Sequence, residues 1–117
     1  MNYTELDVWI NSRKLVTAVY QLTKSFPKDE LYGITNQIRR CVVSIPSNIA
    51  EGCGRQTTKD TIHFLYISRG SLYELETQVI LASDLNYITK EDLDTLLEKI
   101  TSSKKLLNGF INYYKNK

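Results

Sequence analysis

His63 is the only histidine in this 117-residue chain, and Cys41 and Cys53 are its only cysteines. A zinc site needs several imidazoles or thiolates at fixed spacing, and one histidine with two scattered cysteines does not supply that set. Cys41 or Cys53 with His63 resembles a nucleophile and base in type only, because no third group is identifiable to orient the imidazole. His63 also points away from the Ile62/Leu65 stripe, which makes it a solvated surface residue. The stretch Glu51-Gly52-Cys53-Gly54-Arg55 has two glycines, but no strand precedes it and no Gly-Lys-Ser/Thr follows, so its glycines read as a helix end rather than a phosphate loop. If both lie on one helix, twelve residues apart, the two thiols stand about 18 Å from each other, too far for a disulfide. These parts predict no enzyme, no metal and no cofactor.

Charged residues supply the remaining candidates. Arg39-Arg40 and Arg55 with Lys59 bracket the second helix and form a modest basic set. Net charge is only +2, so nucleic-acid binding cannot be argued from the excess alone; it depends on clustering, and copies of a weak patch side by side would focus a field that one copy cannot. A second set is predicted to be buried. At about 100° per residue Arg69 and Glu76 fall beside the Leu65/Leu72/Val79 row, where a charge is tolerated only when paired and hydrogen-bonded. The expected arrangement has Arg69 meeting Glu51 or a carboxylate of the third helix, with Asn48 and Ser71 adding hydrogen bonds and fixing register or oligomer geometry.

Four helical segments must carry these residues. The first spans about Glu5 to Ser25, with Leu6, Trp9, Ile10, Arg13, Val16, Tyr20 and Thr23 at helical spacing, Thr4/Asp7 as a capping box, and Phe26-Pro27 as the stop. The second runs from about Gly33 to Gly52 on an apolar stripe of Ile34, Ile38, Cys41, Val42, Ile45 and Ile49. Pro46 lies inside it, and because the stripe keeps its phase across the proline, one kinked helix is favoured over two short ones. Gly52 and Gly54 are expected to close it. Thr57/Asp60 and Thr89/Asp92 open a third helix, Thr58 to Leu85, and a fourth, Lys90 to Tyr114; Asn86 suits the left-handed position between them. The short turn makes the last two helices antiparallel neighbours.

No strand-like alternation survives, and residues 1–117 read as a single all-α domain, an up-and-down four-helix bundle. The first residues lack a basic stretch followed by an apolar run, and no window approaches the ~18 uninterrupted apolar residues of a membrane span, so a cytoplasmic protein without membrane contact is expected. The third helix is apolar on too many sides for one small bundle: Leu65, Leu72 and Val79 form one row, Phe64, Leu75 and Ala82 a second, and Ile67, Leu81 and Leu85 a third nearly opposite. A homo-oligomer that shares this surplus is the expectation.

The segment Gln37-Ile38-Arg39-Arg40-Cys41-Val42-Val43-Ser44-Ile45-Pro46-Ser47-Asn48-Ile49-Ala50-Glu51-Gly52 resembles the hallmark stretch of the 23S ribosomal RNA intervening-sequence proteins. The likeness continues through Arg55 and Phe64 to Gln78, and earlier through Leu6-Asp7-Val8-Trp9 and Phe26-Pro27. It implies a four-helix bundle assembled as a ring, a homopentamer, found in bacteria and in some cases encoded within an insertion in the large-subunit ribosomal RNA gene, with no known enzymatic activity. That family is similar to the accessory variability determinant of diversity-generating retroelements, a barrel-shaped pentamer that engages a reverse transcriptase and nucleic acid. By this analogy Arg39, Arg40, Arg55 and Lys59 are candidates for an RNA or DNA surface. Cys41 and Cys53 stand where many relatives carry a small or aromatic residue, which sets cysteine chemistry aside. Two readings follow: an oligomer that binds nucleic acid electrostatically, and a scaffold that docks another protein such as a polymerase or reverse transcriptase.

Overall fold

The computed structural model describes residues 2–117, and among them four α-helices and no strand are found. They are α1 (Asp7–Thr23), α2 (Ile34–Cys53), α3 (Thr58–Asp84) and α4 (Lys90–Lys115), with short 3₁₀ turns at Tyr3–Glu5 and Lys28–Glu30. Each helix packs on its neighbour in the chain and α1 returns to α4, in a body of 45 × 25 × 21 Å. No helix among the described residues is long and apolar enough to cross a membrane.

The caps explain where α3 begins and ends and where α4 begins. Thr57 and Thr89 each accept the backbone N–H three residues on, from Asp60 and Asp92, both at 3.1 Å, as their capping boxes predict. Asn86 takes a positive φ of 64°, while the Tyr87 N–H reaches the Ala82 carbonyl and the Asn86 N–H reaches Ser83, both at 2.9 Å. This is the Schellman arrangement, built here on asparagine. The first box does not form. Asn2 instead caps the 3₁₀ turn by accepting the Thr4 N–H at 3.1 Å, and α1 starts behind Leu6 without a side-chain cap.

The α1 stripe lies one position away from the expected one except at Thr23, which is buried as expected. Val8, Ser12, Leu15, Val19 and Thr23 are buried, whereas Arg13 and Tyr20 are exposed. Ser12 and Thr23 tolerate burial because their hydroxyls donate to carbonyls of their own helix, Trp9 at 2.8 Å and Val19 at 2.9 Å. In α2 the stripe is the expected one, and Ile38, Val42, Ile45 and Ile49 are essentially inaccessible. The helix continues through Pro46.

Gly52 and Gly54 do not take left-handed conformations. Gly52 is buried inside α2, where an added Cβ would sit 3.1 Å from the Thr61 carbonyl and 3.2 Å from the Phe64 Cβ. Its missing side chain therefore lets α3 approach α2, and the Thr61 hydroxyl donates to the Gly52 carbonyl at 2.8 Å. The core is completed by Leu65, Leu72, Leu75 and Val79 of α3 and by Leu96, Ile100, Leu107 and Ile111 of α4. Ile67, Leu81 and Leu85, the third row of α3, stay outside at 41%, 48% and 50% exposure.

Candidate nucleic-acid interface

The four basic candidates separate into two places. Arg39 and Arg40 lie in the second turn of α2, whereas Arg55 stands two residues beyond its end and Lys59 lies in the first turn of α3. Thirteen residues of helix from Arg40 to Cys53 put about 20 Å between Arg40 and the end of α2 that precedes Arg55.

Their surroundings also differ. Arg39 is half-buried; its Nε donates to the Thr23 hydroxyl at 2.9 Å, and its guanidinium sits 4.8 Å from the Tyr20 ring centre. Arg40 is exposed in a polar cleft between α2 and α3 that it shares with Tyr32, Gln37, Ser44 and Glu74, without an ion pair among the described residues. Arg55 is exposed, paired with Glu51 at 2.8 Å and laid over the Phe64 ring at 4.4 Å. Lys59 is exposed and has no ion-pair partner among the described residues. Its place in the first turn of α3 is electrostatically unhelpful to that helix, since helix N-termini favour anions.

The predicted buried polar cluster is not one cluster. Arg69 donates to the Asn108 Oδ1 at 3.2 Å and lies 4.7 Å from the Tyr66 ring centre. Glu76 pairs with Lys104 at 2.8 Å, and Lys104 in turn stands 4.2 Å from the Tyr73 ring centre. Glu51, expected to meet Arg69, is exposed beside Arg55. The reason is geometric: Arg69 and Glu76 occupy the flank of the Leu72 row that faces α4, so their partners come from α4. On the opposite flank α3 meets α2 through a different network. The Cys41 S–H donates to the Ser71 carbonyl at 3.1 Å, the Ser44 and Ser71 hydroxyls share a hydrogen bond at 2.7 Å, and the Asn48 amide donates to the Ser44 carbonyl at 2.8 Å.

Cys41 is held as a thiol: burial, with the Glu74 charge adding, pushes its pKa up to about 12. Burial raises that of Cys53 as well. Neither is an activated nucleophile, which requires a lowered pKa. Among the described residues no three His, Cys, Asp or Glu side chains form a metal-holding group.

Two features escaped the sequence reading. One is an aromatic and cationic end of the bundle, where Tyr66 lies near both Arg69 and Lys115, and Lys117 lies near Tyr113 and Tyr114. The run from Phe110 to Lys117, in which tyrosines and lysines alternate with asparagines, was its signal. The other is a cleft where Arg39 stands with Lys24 and Lys28, residues some fifteen and eleven positions earlier that no spacing rule links to it.

Compared with known families, residues 4–109 match the model described as 23S rRNA-intervening sequence protein. Among solved structures the chain is similar to a protein of unknown function from the S23 ribosomal protein family of Bacteroides thetaiotaomicron VPI-5482. The two share 28% identity and a TM-score of 0.82, over 89% of this chain and 97% of the other. No curated protein matches.

Proposed function

The chain belongs to the 23S rRNA-intervening sequence protein family, and on that premise we propose that it is a non-catalytic accessory protein that binds RNA or DNA through Arg39, Arg40, Arg55 and Lys59. In this reading bundles whose α2 bends at Pro46 assemble as a ring-shaped homopentamer. The observation that carries it is the state of Arg40 and Lys59, both exposed and without an ion-pair partner among the described residues, so that a phosphate would not have to displace a carboxylate. The separation of the two basic pairs supports the oligomer as well: one subunit offers two weak sites, and repetition around an axis would bring several within one field. The family description refers to a ribosomal RNA, which makes RNA the first probe.

Salt titration is the test. Affinity for a generic oligoribonucleotide should fall steeply with salt, and neutral replacement of all four cations should flatten the slope while the sedimenting mass is unchanged. A wild-type protein with no RNA affinity at low ionic strength would end this reading. A second reading, a scaffold that docks another protein, is favoured by the exposed Ile80, Leu81 and Leu85, which present apolar surface at the end of α3 opposite Lys59.

A further inference from the structure

Between the C-terminal end of α1 and the first two turns of α2 lies a cleft of about 430 Å³. Lys24, Lys28 and Arg39 line it, with Phe26 and Leu31 forming an apolar wall, and no carboxylate is among the lining residues. The nearest acids in sequence are Asp29 and Glu30. Asp29 does not line the cleft, and Glu30 is engaged elsewhere, accepting the Tyr87 hydroxyl at 2.7 Å.

Cations near the end of α1 would be favourable for its dipole alone. Two further observations are not explained that way. Arg39 is held from two sides: its Nε is spent on the buried Thr23 hydroxyl and its guanidinium carbon lies over the Tyr20 ring, which leaves the two Nη groups without another partner among the described residues. Thr35 also lines the cleft; it is 4% exposed, and its hydroxyl is buried without a hydrogen-bond partner among the described residues. A buried hydroxyl left unpaired is costly, and threonines in helices ordinarily avoid the cost by donating to their own backbone, as Thr23 does.

We infer that this cleft is a phosphate-binding pocket, in which Arg39, Lys24 and Lys28 neutralise the anion and the Thr35 hydroxyl donates to one of its oxygens. A guanidinium held in one orientation presents paired N–H donors to an oxyanion with little entropy left to lose. The apolar wall of Phe26 and Leu31 suits the sugar or base attached to such a phosphate. The pocket thereby gives Arg39 a role different from that of exposed Arg40, Arg55 and Lys59. That the phosphate belongs to nucleic acid rests on the proposed function; that the pocket takes phosphate does not.

The full chain is titrated calorimetrically with inorganic phosphate, AMP and a short oligouridylate, each against wild type, Arg39→Gln and Thr35→Val. Both variants are expected to bind AMP and phosphate roughly tenfold more weakly, the size expected for losing a hydrogen bond to a charged group. Thr35→Val should in addition melt at a higher temperature than wild type without ligand, because valine removes the unpaired hydroxyl at nearly constant volume. Parallel weakening of oligouridylate places the phosphate in nucleic acid. Weakening of AMP alone, with oligouridylate unmoved, keeps the pocket but assigns it to free nucleotides and takes Arg39 out of the RNA surface. Absence of saturable binding by all three probes, or wild-type affinities in both variants, overturns the pocket.

Discussion

Cys41 shows how a single buried group ties stability to pH. Its thiol donates to the Ser71 carbonyl in the α2–α3 seam, and burial with the nearby Glu74 raises its pKa from the ordinary 9.0 to about 12. Below pH 9 the thiol is protonated whether the chain is folded or not, so it adds no pH dependence there. Between these values the unfolded chain releases a proton that the native state keeps, and native stability falls as pH rises, at a limit of about 1.4 kcal/mol per pH unit. Melting temperature followed from pH 8 to about pH 11 should therefore drop in wild type and drop less in Cys41→Ala. Tyr87, Tyr114 and Cys53 are also raised, so some alkaline slope will persist in the variant. Equal slopes in the two proteins would mean that Cys41 is not held in this way. At this scale the sequence was informative about environment and silent about partner. Arg69 and Glu76 were legible as residues beside a buried row, but a helical projection gives an angle and not the identity of the neighbouring helix. Asn108 and Lys104, which receive them, became partners only through the placement of α4.

At the scale of elements, α2 carries its proline through a collar of side-chain hydrogen bonds. Pro46 has no N–H for the Val42 carbonyl, and around that gap four other carbonyls accept side-chain donors: Cys41 from Ser44, Val43 from Ser47, Ser44 from Asn48, and Ile45 from Ser68 of α3. Such back-bonding lets carbonyls that tilt away from the helix ladder keep a partner. Pro46→Ala should then stabilise the isolated fold by about 1–3 kcal/mol, short of the full propensity difference because the helix has adapted to proline. Chemical denaturation measures this, and a destabilised variant would show instead that Ile45 and Ile49 need the proline-set geometry to reach α3. The helix starts at Thr57 and Thr89 were readable because both partners are local, and the same is true of Asn86; Thr4 with Asp7 has the same spacing but lost out to the 3₁₀ turn that Asn2 caps. The phase of α1 was not. That helix has apolar residues on two adjacent strips, and burial of Ser12 and Val19 rather than Arg13 and Tyr20 was decided by which strip met α2 and α4. Gly52 was misread for a related reason, since a glycine near a helix end looks like a cap until a neighbouring helix is seen against it.

For the molecule as a whole, the outer face of α3 poses a question that one subunit does not answer. Ile67, Leu81 and Leu85 are each about half exposed, and Gly70 lies on the same side with nothing within 4 Å of where its Cβ would be. A glycine inside a solvated helix costs up to about 1 kcal/mol relative to alanine and gains nothing in return. If another copy of the chain crosses α3 there, the glycine is what allows the close approach, and the apolar residues above and below it become the contact. The two situations make opposite predictions for Gly70→Ala. In a lone subunit the alanine only improves the helix, raising the melting temperature without a change in mass. In an assembly that packs on Gly70, the added methyl should lower the melting temperature or loosen the oligomer even though it favours the helix. The expected result is the second, with wild type sedimenting as a multiple of 13.5 kDa and Leu81→Glu reducing it to the single-chain mass while leaving helical content unchanged. Wild type running as one 13.5 kDa particle, with Gly70→Ala simply more stable, would make this face a solvated one and leave the basic pairs of α2 and α3 to act one subunit at a time.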